Sequence, residues 1–386
     1  MAANHVDELI PLRTPYLWSY SRANLIAVTV DVYIWNGDEV SDKPLVPTFG
    51  DKRITAIDEQ AYFDLAKLCR DWIEVEYAQN SESECVFIEV QATYDDGITD
   101  SGAITTEKYT GFDGFYYTWE GISSGITNDV LQTSLVVYVP QDTIVYVPVL
   151  ARELDNVLNY YDANPNGSTL PPLYTKDITG DYDSTPSNTN DYIYYLSNTT
   201  NNFGTEYRRF VEVQWGLGAR STTIEFRYFD CNRYEPIKCV FVNKYGAKQT
   251  LFFQGRLNFN YDISSGEQFK RNTLDLDTLT YDIKKGQTVK PNVNGTQKIT
   301  ANTGWITEAD NAAINEMVLS EQCWMVIPEN AYGFLGASNS SARDTPLILP
   351  CIPTISNHSV KDHLSEKLIN YTLDFDVAFN ILNTVR

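Results

Sequence analysis

Three histidines, six cysteines and an excess of carboxylates are the residues of this chain that could do chemistry. Nucleophilic catalysis of the Ser-His-Asp or Cys-His kind needs an imidazole beside the nucleophile. The imidazoles here are His5 near the start of the chain, and His358 and His363, which flank a polar turn before the last strand pattern. No G-x-S-x-G elbow accompanies them. A structural zinc takes four ligands at tight, paired spacing. Cys351, His358 and His363 are separated by six and four residues with no second cysteine close, which reads as a core cysteine and two loop histidines. Asp95-Asp96, Asp181-Tyr-Asp183 and Asp275-Leu-Asp277 offer hard oxygens of the kind calcium takes, yet none sits in a D-x-[DN]-x-[DN]-G loop. A carboxylate-based glycosidase would need two acids at a separation that only the fold sets. There is no G-x-x-x-x-G-K-[ST] phosphate cradle, and Gly216-Leu-Gly218 lacks the third glycine of a dinucleotide fingerprint. The chain is therefore expected to be non-enzymatic, with no catalytic residue, cofactor or metal.

What remains is chemistry of contact. There are 26 Tyr and 7 Trp but only 3 Met. Tyr and Trp are favoured interface anchors, because a rigid ring with one polar atom buries much area at little entropic cost. Many lie in segments that read as turns or arms, such as Gly111-Phe-Asp-Gly-Phe-Tyr-Tyr-Thr-Trp119. Tyr16, Trp18, Tyr20, Trp119, Tyr192, Tyr194 and Tyr195 are the candidate assembly contacts.

Charge narrows the partners. Lys plus Arg is 29 and Asp plus Glu is 51, a formal net charge of −22. Phosphate neutralisation needs a basic surface, so sequence-specific nucleic-acid binding is not expected. Basic residues occur only as dispersed pairs such as Arg208-Arg209, Lys270-Arg271 and Lys284-Lys285. No stretch approaches the roughly 18 apolar residues of a membrane-spanning helix, and the first 22 residues lack the apolar region of a secretory signal. Cys69, Cys85, Cys231, Cys239, Cys323 and Cys351 are scattered without C-x-x-C pairs, as expected of core thiols made in a reducing cytosol.

The elements that must position these residues are mostly strands. Ile26, Val28, Val30 and Val32 alternate on one face of a strand, and Ile224, Phe226 and Tyr228 do so in another. The runs 136–139 and 144–149, separated by Pro140-Gln-Asp-Thr143, predict a hairpin. Leu65, Leu68, Cys69 and Trp72 at i, i+3, i+4 and i+7 predict a helix over 64–73. Thr307 as N-cap, with Asp310 three residues on, predicts another over 308–320. The fold class is mainly β, two β-sandwich-like domains, each with a short α-helix, plus a long polar insert. The expected layout is an N-terminal arm (1–22), a first domain (23–154), a polar insert or linker (155–205) rich in Pro, Asn and Asp, and a second domain (206–386).

Several fragments together carry a resemblance. They are a strand ending in an Asn-x-x-Gly turn, Val240-Phe-Val-Asn243-Lys-Tyr-Gly246; the aromatic strand Thr250-Leu-Phe-Phe253; Lys298-Ile-Thr-Ala-Asn-Thr-Gly-Trp305; an acidic-start helix ending at Ser320; the strand 323–327; and the Tyr-Thr-Leu-Asp-Phe-Asp strand at 371–376. In the first domain, the strand pair, the Phe63-to-Ala66 helix and the Val-Pro-Gln-Asp hairpin add to them. Taken together this layout resembles virion structural proteins of Bacteroidetes phages, including crAss-like ones, from tails, baseplates and necks. The resemblance covers most of the chain in scattered fragments, and the insert at 155–205 departs from it. It implies a non-enzymatic virion subunit, made in the host bacterial cytoplasm, that forms a homo-oligomeric ring or collar of the tail or neck and contacts other tail or neck proteins. The alternative expectation is a carbohydrate-binding or adhesion module of a baseplate or fibre, using loop aromatics as sugar platforms.

Overall fold

The structure is a computed structural model. It describes residues 8–36, 42–73, 77, 85–97, 102–104, 106–121, 130–141, 143–151, 157–161, 172–177, 192–198, 208–215, 220–230, 234–264, 267–275, 277–281, 284, 286–291, 293–327, 346–354 and 369–380. It is mainly β and sandwich-like. The chain packs as two compact units. The first comprises residues 1–232, 239–252 and 309–321, and the second 233–238, 253–308 and 322–386.

The first unit begins with strands β1 (Glu8–Pro11), β2 (Leu17–Ser21), β3 (Ala27–Trp35), β4 (Phe49–Thr55) and β5 (Gln60–Asp64), helix α1 (Ala66–Cys69), and strands β6 (Cys85–Asp95), β7 (Gly102–Ala103) and β8 (Glu107–Phe112). One sheet runs β1-β8-β6-β3-β4, with β7 on β6. The β2–β5 ladder packs Trp18 and Ala61 against Val28, Val30, Val32, Ile34, Val86, Ile88 and Val90 of the sheet, as the alternating pattern requires. The expected 1–22 arm is thus not a free segment. β1 is paired in parallel to β8, and β2 antiparallel to β5. Aromatic side chains within a β-branched ladder bury more area against their own domain than an arm could in water. Helix α1 is shorter than the expected 64–73. The Leu65 N–H is held by the Tyr16 carbonyl at 2.8 Å, the first turn is capped only by a long bond from the Lys67 N–H to Asp64 Oδ1 (3.4 Å), and the helix tightens into a 3-10 turn over Arg70–Trp72.

The remainder of the first unit holds β9 (Val136–Pro140), β10 (Tyr146–Ala151), β11 (Val157–Tyr161), β12 (Tyr174–Asp177), β13 (Tyr192–Ser197), β14 (Arg208–Trp215) and β15 (Arg220–Phe229). They form a five-stranded sheet, β12-β11-β14-β15-β9, and a separate pair, β10-β13. The hairpin expected from 136–149 does not exist. β9 pairs in parallel with β15, and β10 antiparallel with β13. Both strands are apolar enough to bury, and they do so from opposite layers: Val137 and Val139 share one core with Val145, Val147 and Val149. Segment 155–205, expected as an insert or linker, supplies β11, β12 and β13, and Leu158, Tyr160 and Leu196 lie in that same core.

A tight hairpin follows, β16 (Ile237–Val242) to β17 (Lys248–Phe253). Asn243 is fully buried and organises its turn. Its Oδ1 accepts from the N–H groups of Tyr245 (3.0 Å) and Ala247 (3.2 Å), while its Nδ2 donates to the Leu131 carbonyl (2.6 Å) and to Gln249 Oε1 (3.1 Å). Gly246 has φ +78°, and a Cβ there would lie 2.7 Å from the Asp113 nitrogen, so the position needs glycine twice over. Helix α2 (Asn311–Val318) follows a 3-10 turn over Glu308–Asp310, so the regular helix starts three residues later than expected from Thr307. It buries Ala313, Ile314 and Met317. It also buries Glu316, which accepts from Thr133 Oγ1 and from the Lys244 backbone N–H. Both described α-helices fall in the first unit.

The second unit contains β18 (Asn258–Ser264), the two-residue strands β19 (Phe269–Lys270), β20 (Leu274–Asp275), β21 (Thr280–Tyr281) and β22 (Thr288–Val289), then β23 (Asn294–Asn302), β24 (Cys323–Ile327), β25 (Leu347–Pro353) and β26 (Thr372–Asn380). Five of these are successive neighbours, β24-β25-β26-β23-β18, all antiparallel. Ile299, Ala301, Leu373, Phe375 and Val377 alternate inward, and Phe253 meets Phe375 edge-on at 5.7 Å. Cys323 and Cys351 face each other across β24–β25, both buried and reduced.

Candidate functional site

Of the seven aromatic contacts expected from the sequence, the structure places three in one wall of the first sheet. Tyr16 and Trp18 are buried. Trp18 Nε1–H and the Tyr109 hydroxyl both donate to Glu107 Oε2 at 2.6 Å, and Tyr16 packs edge-on against Tyr109 at 5.7 Å. Tyr20, half-buried, stacks on Tyr94 at 6.1 Å, with the Arg22 guanidinium 3.9 Å over the Tyr94 ring. Asp96 stands 3.5 Å from Arg22. Tyr16, Trp18, Tyr20, Arg22, Tyr94 and Tyr109 line a cleft of about 870 Å³ whose rim adds Asp58, Glu59 and Gln60 from the β4–β5 turn.

Tyr194 and Tyr195 are used inside the first unit. The Tyr194 hydroxyl accepts from Lys176 Nζ at 2.7 Å, and the Tyr195 hydroxyl accepts from the Lys248 backbone N–H at 3.1 Å. The Tyr192 side chain lies outside the described residues, as do His5, His358, His363 and Cys231. Among the six whose side chains are described, Trp119 presents an open face. It is 80% exposed on a 3-10 turn and stacks flat on Tyr117 at 4.6 Å and 5°. That turn is braced by Glu120, whose Oε2 accepts the Tyr117 N–H at 2.9 Å and whose Oε1 pairs with Lys244 Nζ at 3.0 Å. Glu120 titrates below the usual carboxylate range. Burial opposes that shift but is outweighed by the backbone hydrogen bond and Lys244.

Sequence reasoning missed an exposed apolar feature that lies between β18 and β23. The ladder Asn258↔Thr300 to Ser264↔Asn294 continues as Phe269↔Val289 and Lys270↔Thr288, and then as Leu274↔Tyr281 and Asp275↔Thr280. The pairing stays in one register up to Lys270 and slips once before the tip. The described residues thus form three successive antiparallel ladders, together the β-arm. No described residue between 267 and 293 is buried. Ile263 is 73% exposed, Leu279 77%, Tyr281 69% and Phe269 51%. Leu279 at the tip also holds a left-handed φ of +52°, unusual for a residue with a branched side chain. The arm grows from β18, the terminal strand of its sheet, which leaves an open edge along its root. Its sequence signal is weak because Asn, Thr, Asp and Lys interrupt the apolar alternation. That interruption distinguishes a ribbon with no core of its own from a strand that buries one face.

Among the described residues there is no group of three or more His, Cys, Asp or Glu placed to hold a metal ion, and no helix long and apolar enough to cross a membrane. No family model matches the chain, and no curated protein does. Among solved structures, fibronectin(III)-like modules of Clostridium thermocellum CbhA are similar at 8% identity, over 60% of this chain and 95% of theirs, with a TM-score of 0.16. Extracellular domains 3–5 of Drosophila OTK are similar at 9% identity, over 77% of this chain and 89% of theirs, with a TM-score of 0.19. At those scores neither likeness bears on function.

Proposed function

We propose that the chain is a non-enzymatic structural subunit of a phage virion, which oligomerises into a ring or collar of the tail or neck and contacts neighbouring virion proteins. The β-arm carries this reading. An isolated two-stranded ribbon is marginally stable in water at best, and this one exposes Ile263, Phe269, Leu279 and Tyr281 along its length. Such a ribbon gains its stability from a surface that covers it, and a subunit of an assembly has that surface supplied. The resemblance of the scattered strand and turn fragments to phage tail and neck proteins supports the virion setting. The net charge of −22 suits a wall past which DNA must slide without sticking.

A second reading has its own observation. The Tyr117–Trp119 stack is a flat, open aromatic platform of the kind that sugar rings cover. It favours a carbohydrate-binding or adhesion module. One pair of measurements separates the two: native mass spectrometry of the recombinant chain together with proteomics of purified virions, and a glycan array. Discrete homo-oligomers and presence in virions are expected. A strictly monomeric chain absent from virions would sink the structural reading, and glycan binding lost in Trp119→Ala would install the second one.

A further inference from the structure

Resting on the assembly reading, we infer that the arm's partner is a second copy of this chain, whose acid-rimmed aromatic cleft receives the arm. The charges point to it. Residues 258–302 hold six of the chain's 29 basic residues but only five of its 51 acidic ones. The arm is therefore net +1 on a chain of −22. Its returning half, 283–302, carries Lys284, Lys285, Lys290 and Lys298 and no carboxylate. Lys270, Lys284 and Lys290 are exposed. An apolar ribbon that carries exposed lysines on an otherwise strongly acidic chain is complementary to that chain's surface.

The cleft fits the arm in chemistry and in size. Asp58 and Glu59 are exposed at its rim, and the half-buried Tyr20 and Tyr94 are the rings it presents; Trp18 and Tyr109, which also line it, are buried in their own unit. The cleft already holds one cation on an aromatic face, Arg22 over Tyr94. Its volume of about 870 Å³ takes several side chains. Lysines of the arm meet the rim carboxylates, while Leu279 and Tyr281 lie against the rings. The contact is heterologous, arm of one copy to cleft of the next, and a heterologous contact repeats into a ring when its rotation closes.

The test is a charge swap read by sedimentation velocity at low and high salt. Lys284→Glu with Lys290→Glu reverses the arm. Asp58→Asn with Glu59→Lys reverses the rim, and Asn suits the left-handed φ of +50° at position 58. Each variant alone is expected to weaken self-association on the order of tenfold at low salt. An equimolar mixture of the two is expected to restore it. Carbodiimide cross-linking of the wild-type chain, which needs no variant to fold, is expected to join Lys284 or Lys290 to Asp58 or Glu59 of another copy. Association that disappears on arm deletion but ignores both reversals, or cross-links that all map elsewhere, would overturn this inference and leave the assembly reading standing. Retention of duplex DNA by the arm would overturn it as well. A chain that stays monomeric at every salt concentration would overturn both.

Discussion

Asp113 is buried beside the β16–β17 turn, and its titration is where single residues most change the behaviour of the fold. Burial, the largest influence, raises its carboxyl to about 6. Arg13 and Arg70 pull it down and Glu321 pushes it up. The unfolded chain titrates that group near 3.8. Between these values the folded chain keeps a proton that the unfolded chain has released. The stabilising contribution of Asp113 is thus complete below pH 3.8 and is lost as the pH rises through 6. Acidification from pH 7 to pH 5 is expected to favour wild type over Asp113→Asn by up to about 1.4 kcal/mol per pH unit. Urea melts of both proteins at the two pH values measure this, and a wild-type-to-variant difference that does not move with pH would refute it. Asn243 works through hydrogen bonds instead. Asn243→Ala strips partners from the N–H groups of Tyr245 and Ala247 and from the Leu131 carbonyl. The expected loss is about 2–4 kcal/mol, read as a shifted urea midpoint at unchanged slope. A loss under about 0.5 kcal/mol, the range of ordinary surface changes, would show that the turn holds without it.

At the scale of elements, alternation in the sequence located strands well and their partners poorly. Val28, Val30 and Val32 could be assigned to one face of β3 because one side of that strand is buried and the other is not. Asn243 and Gly246 could be read as a turn because few other residues accept that backbone. The 136–149 hairpin failed for a reason local pattern cannot carry. β9 and β10 are both apolar, and which layer each joins depends on β13 and β15, some fifty to ninety residues away in sequence. The polar segment 155–205 concealed β11 and β12 because Pro, Asn and Asp dominate its average composition while Leu158 and Tyr160 supply the buried positions. The same mismatch applies to the candidate contacts. Trp18 was singled out as an aromatic near the start of the chain, but its indole N–H meets Glu107 and its ring meets Phe63 at 5.3 Å. The arm between β18 and β23 left almost no signal, because none of its described residues between 267 and 293 is buried. It is also the element whose removal the fold should tolerate. Ser264 and Asn294 are already paired, so an Asn-Gly turn joining them closes the ladder. Replacing 265–293 in this way is expected to leave the melting temperature within a few degrees of wild type. A collapse of the fold on shortening would show that the arm belongs to the core of its unit.

At the scale of the whole molecule, the two units divide structure from display. The first holds clusters of buried side chains around β3, around β11 and between Trp35 and Phe112, with both described α-helices. The second ends an antiparallel sheet in a ribbon of which no described residue between 267 and 293 is buried. A strongly acidic chain whose apolar arm is nearly neutral associates through that arm against less repulsion than through an acidic surface. The most direct measurement is sedimentation velocity of the full chain beside the variant shortened at 265–293, across a range of protein concentrations. The expected result is concentration-dependent association of the full chain into a discrete oligomer, with the shortened chain a monomer throughout. Equal association of the two chains, or a full chain that never leaves the monomer, would contradict the assembly role of the arm.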